Sequence, residues 1–219
     1  MSKKIGIIGG LGPMATVCLM ELLDSKNLVI INDPTTPDRT KYILDNKKDD
    51  PTPNILNMIK KLESQNVDII SMPCNTASYF YESIKDNISC EFVSIVDETV
   101  KYIKHLNIGE VGLLATNGTI KSRIYENAFS NHNIKLLTPS YENQENVMSI
   151  IYDEVKAGKK VSIDKLKYAI NDLKNQGAKK IILGCTELSV IYNNGLIDDE
   201  SLIDSIKVLA NVLNKKAKD

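Results

Sequence analysis

Short apolar runs alternate with amphipathic segments along most of the chain, and this alternation limits the folds open to it. The runs are rich in isoleucine, leucine and valine, which is typical of strands buried on both faces. Between them, apolar residues recur at three- and four-residue spacing, which predicts helices. Alternating strands and helices form right-handed crossovers around a mainly parallel sheet, whose ligands bind beyond the carboxyl ends of the strands. The predicted strands are 5–8, 28–31, 68–71, 92–95, 111–114, 134–137 and 181–183.

The chain also repeats itself. Each half opens with a strand that ends in small residues, GIIGGLGP in the first half and VGLLATNGT in the second. Each half later carries an Ile-Ile strand that ends in cysteine, DIISMPCNTA and then KIILGCTELS, so Gly6 pairs with Gly112 and Cys74 with Cys185. Because buried strands of unrelated α/β proteins resemble one another, chance similarity stays open. A true duplication would make the two cysteines face each other across a cleft.

We therefore predict an α/β protein of two similar domains, each with a mainly parallel sheet flanked by helices. A pseudo-twofold relates the domains, and the active site lies in the cleft between them. The first domain is expected to comprise residues 1–98 together with 196–219, and the second residues 99–195. A final helix over 200–216 should pack back on the first half and close that domain.

The composition excludes several classes of protein. A net charge of −1, from 27 basic and 28 acidic residues, lacks the electrostatic footprint of a nucleic-acid binder. No apolar run approaches the ~18 residues of a membrane helix, and the first residues lead into a strand instead of a signal peptide, so we expect a cytoplasmic protein that does not bind membranes. Four widely spaced cysteines and two histidines predict free thiols and no metal site.

Two of the four cysteines stand where chemistry is expected. Cys74 and Cys185 each follow a buried strand and precede a helix, where backbone N–H groups and the helix dipole favour a thiolate. Each is followed by side chains that can hydrogen-bond a bound carboxylate or amino group. Cys18 falls inside the first predicted helix and Cys90 directly precedes a strand, so we interpret both as structural.

The glycine-rich turn after the first strand has two interpretations. Its backbone can approach an anion closely, with the next helix pointing its N-terminus at it, which suits a small carboxylate. The residues Gly10, Gly12 and Ala15 also match the dinucleotide fingerprint, with Asp33 near the place of a ribose-binding acid. Pro13 removes one backbone donor from the turn that would hold pyrophosphate. The dinucleotide reading is therefore the weaker one.

Two cations are candidates for reading a substrate carboxylate. Arg39 follows a loop stiffened by two prolines, and its guanidinium can bind a carboxylate at two points. Lys156 lies near the end of a predicted helix ahead of Gly158, a place where lysine commonly complements the helix dipole. His105 and His132 lie just before strands and read as surface loop residues.

With these motifs in hand, the chain resembles the aspartate/glutamate racemase family, most of all its amino-acid and aspartate racemase branch. Five motifs carry the resemblance in the expected order: GGLGPMAT, PDRT, PCNTA, LLATNGT and GCTEL. In similar enzymes the cysteines of the PCNTA-like and GCTEL-like motifs are the two catalytic residues, which implies Cys74 and Cys185 here. Many relatives have histidine directly after PCNTA, whereas this chain has Ser78.

The resemblance also implies a set of substrate contacts. Arg39 and Lys156 match positions that hold the side-chain carboxylate in aspartate racemases. The other implied contacts are Gly10, Leu11, Asn75, Thr76, Thr116, Thr119, Thr186 and Glu187.

The predicted function is racemisation of aspartate or glutamate without cofactor or metal. A thiolate on one face of the amino acid removes the α-proton while a thiol on the other face delivers one. No lysine stands in a context that singles it out for a pyridoxal Schiff base. The expected partner is a small amino acid, with a homodimer as a possible assembly. Two alternatives stay open: a noncatalytic acidic amino-acid-binding protein of the same fold, and a dinucleotide-binding enzyme.

Overall fold

The computed structural model describes residues 2–130 and 132–218, so Met1 and Asp219 of the first predicted domain and Asn131 of the second lie outside it. Two four-stranded sheets form its framework, and every strand pairing within them is parallel. The strands are β1 (Ile5–Gly9), β2 (Leu28–Asn32), β3 (Ile69–Ser71), β4 (Glu91–Val93), β5 (Glu110–Leu114), β6 (Lys135–Leu137), β7 (Lys180–Leu183) and β8 (Leu202–Asp204).

Helices connect and flank these strands. A 3₁₀-helix spans Thr76–Phe80 and a π-helical turn spans Ile150–Val155. The α-helices are α1 (Pro13–Leu22), α2 (Arg39–Leu44), α3 (Thr52–Glu63), α4 (Tyr81–Ile84), α5 (Ile95–Lys104), α6 (Asn117–Ser122), α7 (Ile124–Phe129), α8 (Tyr141–Ser149), α9 (Ile163–Asn175), α10 (Thr186–Asn193) and α11 (Ser205–Lys216). Within the described residues, none of the helices is both long enough and apolar enough to span a bilayer.

The two sheets have the same strand order, β2-β1-β3-β4 and β6-β5-β7-β8. The glycines paired from the sequence hold equivalent places in them. Gly6 lies opposite Ile70 of β3, and Gly112 lies opposite Ile181 of β7. In each half the expected cysteine comes four residues further along the chain, from 70 to 74 and from 181 to 185. This shared register favours a true duplication.

The helix before the third strand of each half also packs in the same way. A Cβ placed on Gly6 would lie 3.2 Å from Leu62 of α3, and one placed on Gly112 would lie 2.9 Å from Leu173 of α9. A Cβ would therefore be crowded at Gly6 and would force Leu173 to move at Gly112, because the helix before the third strand lies close against each sheet. The equivalent contact explains why small residues recur at these two places in the sequence.

One apolar core joins the two halves. Its buried members include Ile7 of β1, Leu113 of β5 and Leu209 of α11. Helix α11 packs against α5 and α1. The Asn214 side chain completes the contact, since it donates to Leu22 O and accepts from the N–H of Asp24. The two halves are thus held by packing between the sheets as well as by the chain connecting them.

Side-chain caps explain two differences from the predicted elements. The predicted strand 92–95 ends early because Ser94 caps α5, accepting a hydrogen bond of 3.2 Å from the N–H of Asp97. The predicted helix 200–216 begins late because Asp204 caps α11, and the residues before it form β8. Strand β8 pairs with β7 and so lies with the second sheet, although the predicted first domain contained it. A three-residue strand directly before a helix gives almost no separate sequence signal.

Candidate active site

Cys74 and Cys185 lie at the carboxyl ends of equivalent strands. Cys74 follows β3 and precedes the short 3₁₀-helix, and Cys185 is the cap residue of α10, directly after β7. Both are buried, with 8% and 5% of their surface exposed. They line the same cavity, whose free volume of about 10 Å³ is close to the space of one water molecule. The structure therefore brings together the two cysteines that the internal repeat paired.

Residues of both halves surround these cysteines. A larger outer pocket of about 410 Å³ adjoins the cavity and shares five lining residues with it: Leu11, Asp38, Arg39, Lys156 and Glu187. Gly10 lines the outer pocket. The predicted substrate contacts that line the inner cavity are Leu11, Arg39, Asn75, Thr76, Thr116, Lys156, Thr186 and Glu187.

Glu187 favours the protonated form of the Cys185 thiol. The Cys185 Sγ donates a hydrogen bond of 3.0 Å to Glu187 Oε2, and both residues are buried. Burial and the adjacent carboxylate of Glu187 raise the pKa of the Cys185 thiol well above its ordinary value, while the charge of Lys156 acts in the opposite direction. Cys185 therefore holds its proton and is suited to act as an acid.

Cys74 has a more favourable environment for a thiolate. Burial raises the pKa of the Cys74 thiol above its ordinary value, although the guanidinium of Arg39 and a hydrogen bond from the backbone of Ala77 offset part of that increase. Glu187 also raises it, from across the cavity. The two thiols thus differ in kind, because a cation is the strongest charged influence on Cys74 and a carboxylate on Cys185.

Arg39 ties two loops together. Its Nη1 donates to the carbonyls of Thr36 (3.1 Å) and Pro37 (2.9 Å), and its Nη2 donates to the carbonyl of Leu11. Its Nε has no hydrogen-bond partner among the described residues, although the residue is buried, with only 7% of its surface exposed. The fork that the sequence assigned to a substrate carboxylate is therefore engaged with backbone carbonyls in this structure.

An ion pair joins the two halves at the mouth of the cavity. Lys156 Nζ lies 3.6 Å from Asp38 Oδ2 and 4.0 Å from the centre of the Tyr152 ring. The Tyr152 hydroxyl donates to the Asp38 carboxylate at 3.0 and 3.1 Å. Burial alone would raise the pKa of Asp38, but the N–H of Lys41 and the charge of Lys156 outweigh it and hold that pKa below its usual range.

The sequence reasoning did not identify Asp38 and Tyr152. Asp38 caps α2 and directly precedes Arg39 in the PDRT motif, but only the arginine of that motif was interpreted as a functional residue. Tyr152 stands four residues before Lys156 in the π-helical turn, a spacing that puts two side chains on one helix face. That spacing could have linked Tyr152 to the lysine, but no local signal indicates Asp38 as the partner of either.

Threonine hydroxyls form a buried network beside the cysteines. Thr76 lies 2.8 Å from Thr119 and 3.1 Å from Thr116, and Thr40 donates to Thr116 at 3.1 Å. Thr116 also caps α6 through the N–H of Thr119. Three of the four were predicted contacts, and Thr40 was missed. The network connects α2 and the PCNTA loop of the first half with α6 of the second.

The glycine-rich turn packs against protein. Gly10 has a φ of +84°, and a Cβ there would lie 2.5 Å from the backbone of Asp33. A Cβ on Gly12 would lie 2.7 Å from Glu187 Oε1. The Asp33 carboxylate accepts hydrogen bonds from Thr35 and Asn54. The features that resembled a dinucleotide fingerprint thus serve the turn itself and the approach to Glu187.

The remaining candidates stand apart from the cavity. Cys18 is buried in α1, and Cys90 is half-buried before β4. His105 is exposed at the end of α5. In the described parts of the chain, no group of three or more histidine, cysteine, aspartate or glutamate side chains is arranged to hold a metal ion.

These features define an α/β protein of two similar halves that enclose a pair of buried cysteines. The model of the Asp/Glu/hydantoin racemase family matches residues 8–213. The chain belongs to this family, which confirms the resemblance found in its motifs. It also confirms the predicted class, an amino-acid racemase and hence an isomerase.

Three relatives illustrate the range of the family. The aspartate racemase of Picrophilus torridus is 33% identical, with a TM-score of 0.84 over 98% of this chain and 94% of that chain. The broad specificity amino-acid racemase RacX of Bacillus subtilis (strain 168) is 28% identical over 220 residues, which are 94% of each protein. The glutamate racemase of Francisella tularensis, solved with D-glutamate, shares the fold at 22% identity, with a TM-score of 0.73 over 98% of this chain and 80% of that one.

Proposed function

We propose that this chain racemises a free acidic amino acid without a cofactor, with Cys74 as the resting base and Cys185 as the resting acid. The observation that carries the proposal is the unequal pair of thiols in one cavity. Arg39 favours the charged form of Cys74, and Glu187 accepts a hydrogen bond from the protonated thiol of Cys185. A base and an acid on opposite faces of one carbon are what inversion at Cα requires.

The proton transfers balance without a further reactant. The Cys74 thiolate takes the α-proton and becomes a thiol, and the Cys185 thiol gives its proton to the opposite face and becomes a thiolate. After the product enantiomer has formed, Cys74 is a thiol and Cys185 is a thiolate. This protonation state is the one that acts on the opposite enantiomer. Lys156 partly offsets the negative charge that then faces Glu187, because it lowers the pKa of Cys185. General acid and base catalysis of this kind contributes about 10²–10⁴-fold for each group.

Aspartate is the first substrate to test. The cavity contains two cations, Arg39 and Lys156, and the Nε of that arginine is a buried polar atom without a hydrogen-bond partner among the described residues. The aspartate racemase named above is similar over nearly the whole chain. Glutamate, and the wider range suggested by the name of RacX, are the alternatives for the same site. A cytoplasmic location and a homodimer remain predictions.

The experiment measures racemisation by purified protein, after dialysis against a chelator and without added nucleotide or pyridoxal phosphate. L-aspartate, L-glutamate and a neutral amino acid are compared in deuterated water. The product enantiomer should carry deuterium at Cα in early turnover, while the recovered starting enantiomer should carry little, because its proton went to the opposite thiol. Activity that returns only with a cofactor would contradict the proposal. Tight binding of aspartate without turnover would favour the noncatalytic alternative.

A further inference from the structure

A single chain of hydrogen bonds runs behind the cavity. The Tyr125 hydroxyl donates to Asn75 Oδ1 at 2.6 Å, and Asn75 Nδ2 donates to Ser205 Oγ at 3.1 Å. The Ser205 hydroxyl then donates to the carbonyl of Leu183 at 2.8 Å. Each link uses a donor of one group and an acceptor of the next, so the chain has one direction. All of these atoms are buried, which makes every lost link costly.

Two members of this chain, Asn75 and Leu183, lie beside the two cysteines in the sequence. Asn75 directly follows Cys74, and Leu183 stands two residues before Cys185. Both polar atoms of the Asn75 side chain are occupied, and the residue is 1% exposed. Its side chain therefore connects the cysteine loop of the first half to the cysteine strand of the second, although the sequence reasoning assigned it to the substrate.

Helices supply the two links that lie further back. Tyr125 belongs to α7 of the second half, and Ser205 is the first residue of α11, the helix that packs against both halves. The cavity walls named above are formed by other residues, so neither hydroxyl is placed to touch a bound amino acid. Their hydrogen bonds act instead on the distance between the two loops that carry Cys74 and Cys185.

We infer that Tyr125 and Ser205 are positioning residues, which hold Cys74 and Cys185 at the separation that lets one sulfur take a proton while the other delivers one. The inference rests on the proposed racemisation. A shift of about 1 Å in a reacting group can cost about 10²-fold in rate. Loss of either hydroxyl should therefore lower kcat about 10- to 100-fold and leave KM within about threefold, because the groups that bind substrate stay in place.

The chain offers a matched control. Ser71 Oγ donates to the carbonyl of Val93 at 2.8 Å, the same kind of bond as that from Ser205 to Leu183. Both serines are fully buried, and both bonds span 22 residues: Ser71 lies in β3 and donates to β4, and Ser205 directly follows β8 and donates to β7. Ser71→Ala thus removes an equivalent buried hydrogen bond without touching Asn75.

The test compares Tyr125→Phe, Ser205→Ala and Ser71→Ala with the unmodified chain, after circular dichroism and thermal unfolding. With α-deuterated aspartate, the first two variants should show a lower kcat and a larger isotope effect than Ser71→Ala, because proton transfer has become slower relative to the other steps. The inference is overturned if kcat and the isotope effect in both variants match those of Ser71→Ala. If only one of the two variants Tyr125→Phe and Ser205→Ala is folded, the comparison of that variant with Ser71→Ala decides. An inactive unmodified chain would instead refute the proposed function, and this inference with it.

Discussion

A single added methyl group at Gly12 should impair catalysis while leaving the fold intact. The φ of Gly12 is −165°, which is extended backbone open to any residue, so alanine brings no backbone strain there. Its Cβ would lie 2.7 Å from Glu187 Oε1 and 3.6 Å from the Cβ of Ala15. Only the first distance is too short, and it involves the end of a flexible side chain. The substitution therefore acts on Glu187.

The size of the effect follows from these distances. Ordinary contact begins at 3.4 Å, so the Glu187 carboxylate must retreat by at least about 0.7 Å. The same carboxylate holds the Cys185 thiol through a 3.0 Å hydrogen bond, which this displacement lengthens or breaks. A displacement of this order near a reacting group corresponds to about a 10- to 100-fold loss of kcat/KM. Stability should change by less than about 1 kcal/mol, since alanine is poorer than glycine as a helix cap but restricts the unfolded chain.

The assay measures racemisation and thermal unfolding of Gly12→Ala beside Gly109→Ala. Gly109 is the matched control because a Cβ there would meet no atom closer than Asn133 O at 4.0 Å. Glu187→Gln and the double variant complete the set. If Gly12→Ala acts through Glu187, its effect should largely disappear in the Glu187→Gln background. Losses that simply add, or a Gly12→Ala protein as active as Gly109→Ala, would refute the reasoning.

The other predictions concern the cysteines and Arg39. Cys74→Ser and Cys185→Ser should each lower racemisation by about 10²–10⁴-fold, because a serine hydroxyl does not ionise near neutral pH, while Cys18→Ser stays active; chiral chromatography of the products checks both. Arg39→Ala should impair acidic substrates more than neutral ones and lower the free energy of unfolding by about 2–4 kcal/mol, since three carbonyls lose their donor. Equal losses on both substrates would assign Arg39 a structural role. Burial raises the pKa of Cys18 to about 12, so the stability it contributes is complete below about pH 8.5 and is lost as the pH rises towards 12. Denaturant unfolding across that pH range should show a steeper loss of the free energy of unfolding for the unmodified chain than for Cys18→Ser. The same pH dependence in both proteins would contradict the raised pKa of Cys18.

Local signals predicted much of this fold, and the internal repeat predicted the centre of the site. Cys74 and Cys185 could be paired because each follows an Ile-Ile strand that recurs in the second half, and the two strands hold equivalent places in their sheets. Such features depend on residues close together in the chain. Strand β8 was missed because three residues before a helix cap carry no periodicity of their own.

Contacts between the halves could not be predicted in the same way. The partners of Asn75 are 50 and 130 residues away, and Asp38 meets Tyr152 across 114 residues. No pattern within one half indicates which polar groups the other half will present. The sequence therefore marked Asn75 as polar and adjacent to Cys74, which fits a substrate ligand and a buried linker equally well.

Duplication and divergence account for different parts of the site. The repeat places a thiol on each side of the cavity, whereas Arg39 beside one thiol and Glu187 beside the other make the two sides chemically unequal. The two enantiomers of an amino acid have equal free energies, so the enzyme must have the same kcat/KM for both. The inequality of the thiols can then appear only as compensating differences in kcat and KM.

We therefore expect the unmodified chain to have different kcat values for the two enantiomers of its substrate, with KM differing by the same factor. Glu187→Gln removes the carboxylate that favours the protonated form of Cys185, so the two protonation states of the cysteine pair should become closer in energy. The kcat values for the two enantiomers should then converge, while both kcat/KM values fall together. Initial rates measured from each enantiomer over a range of concentrations test this directly. Equal kcat values in the unmodified chain, or an unchanged ratio in Glu187→Gln, would mean that Glu187 does not determine which cysteine rests as the acid.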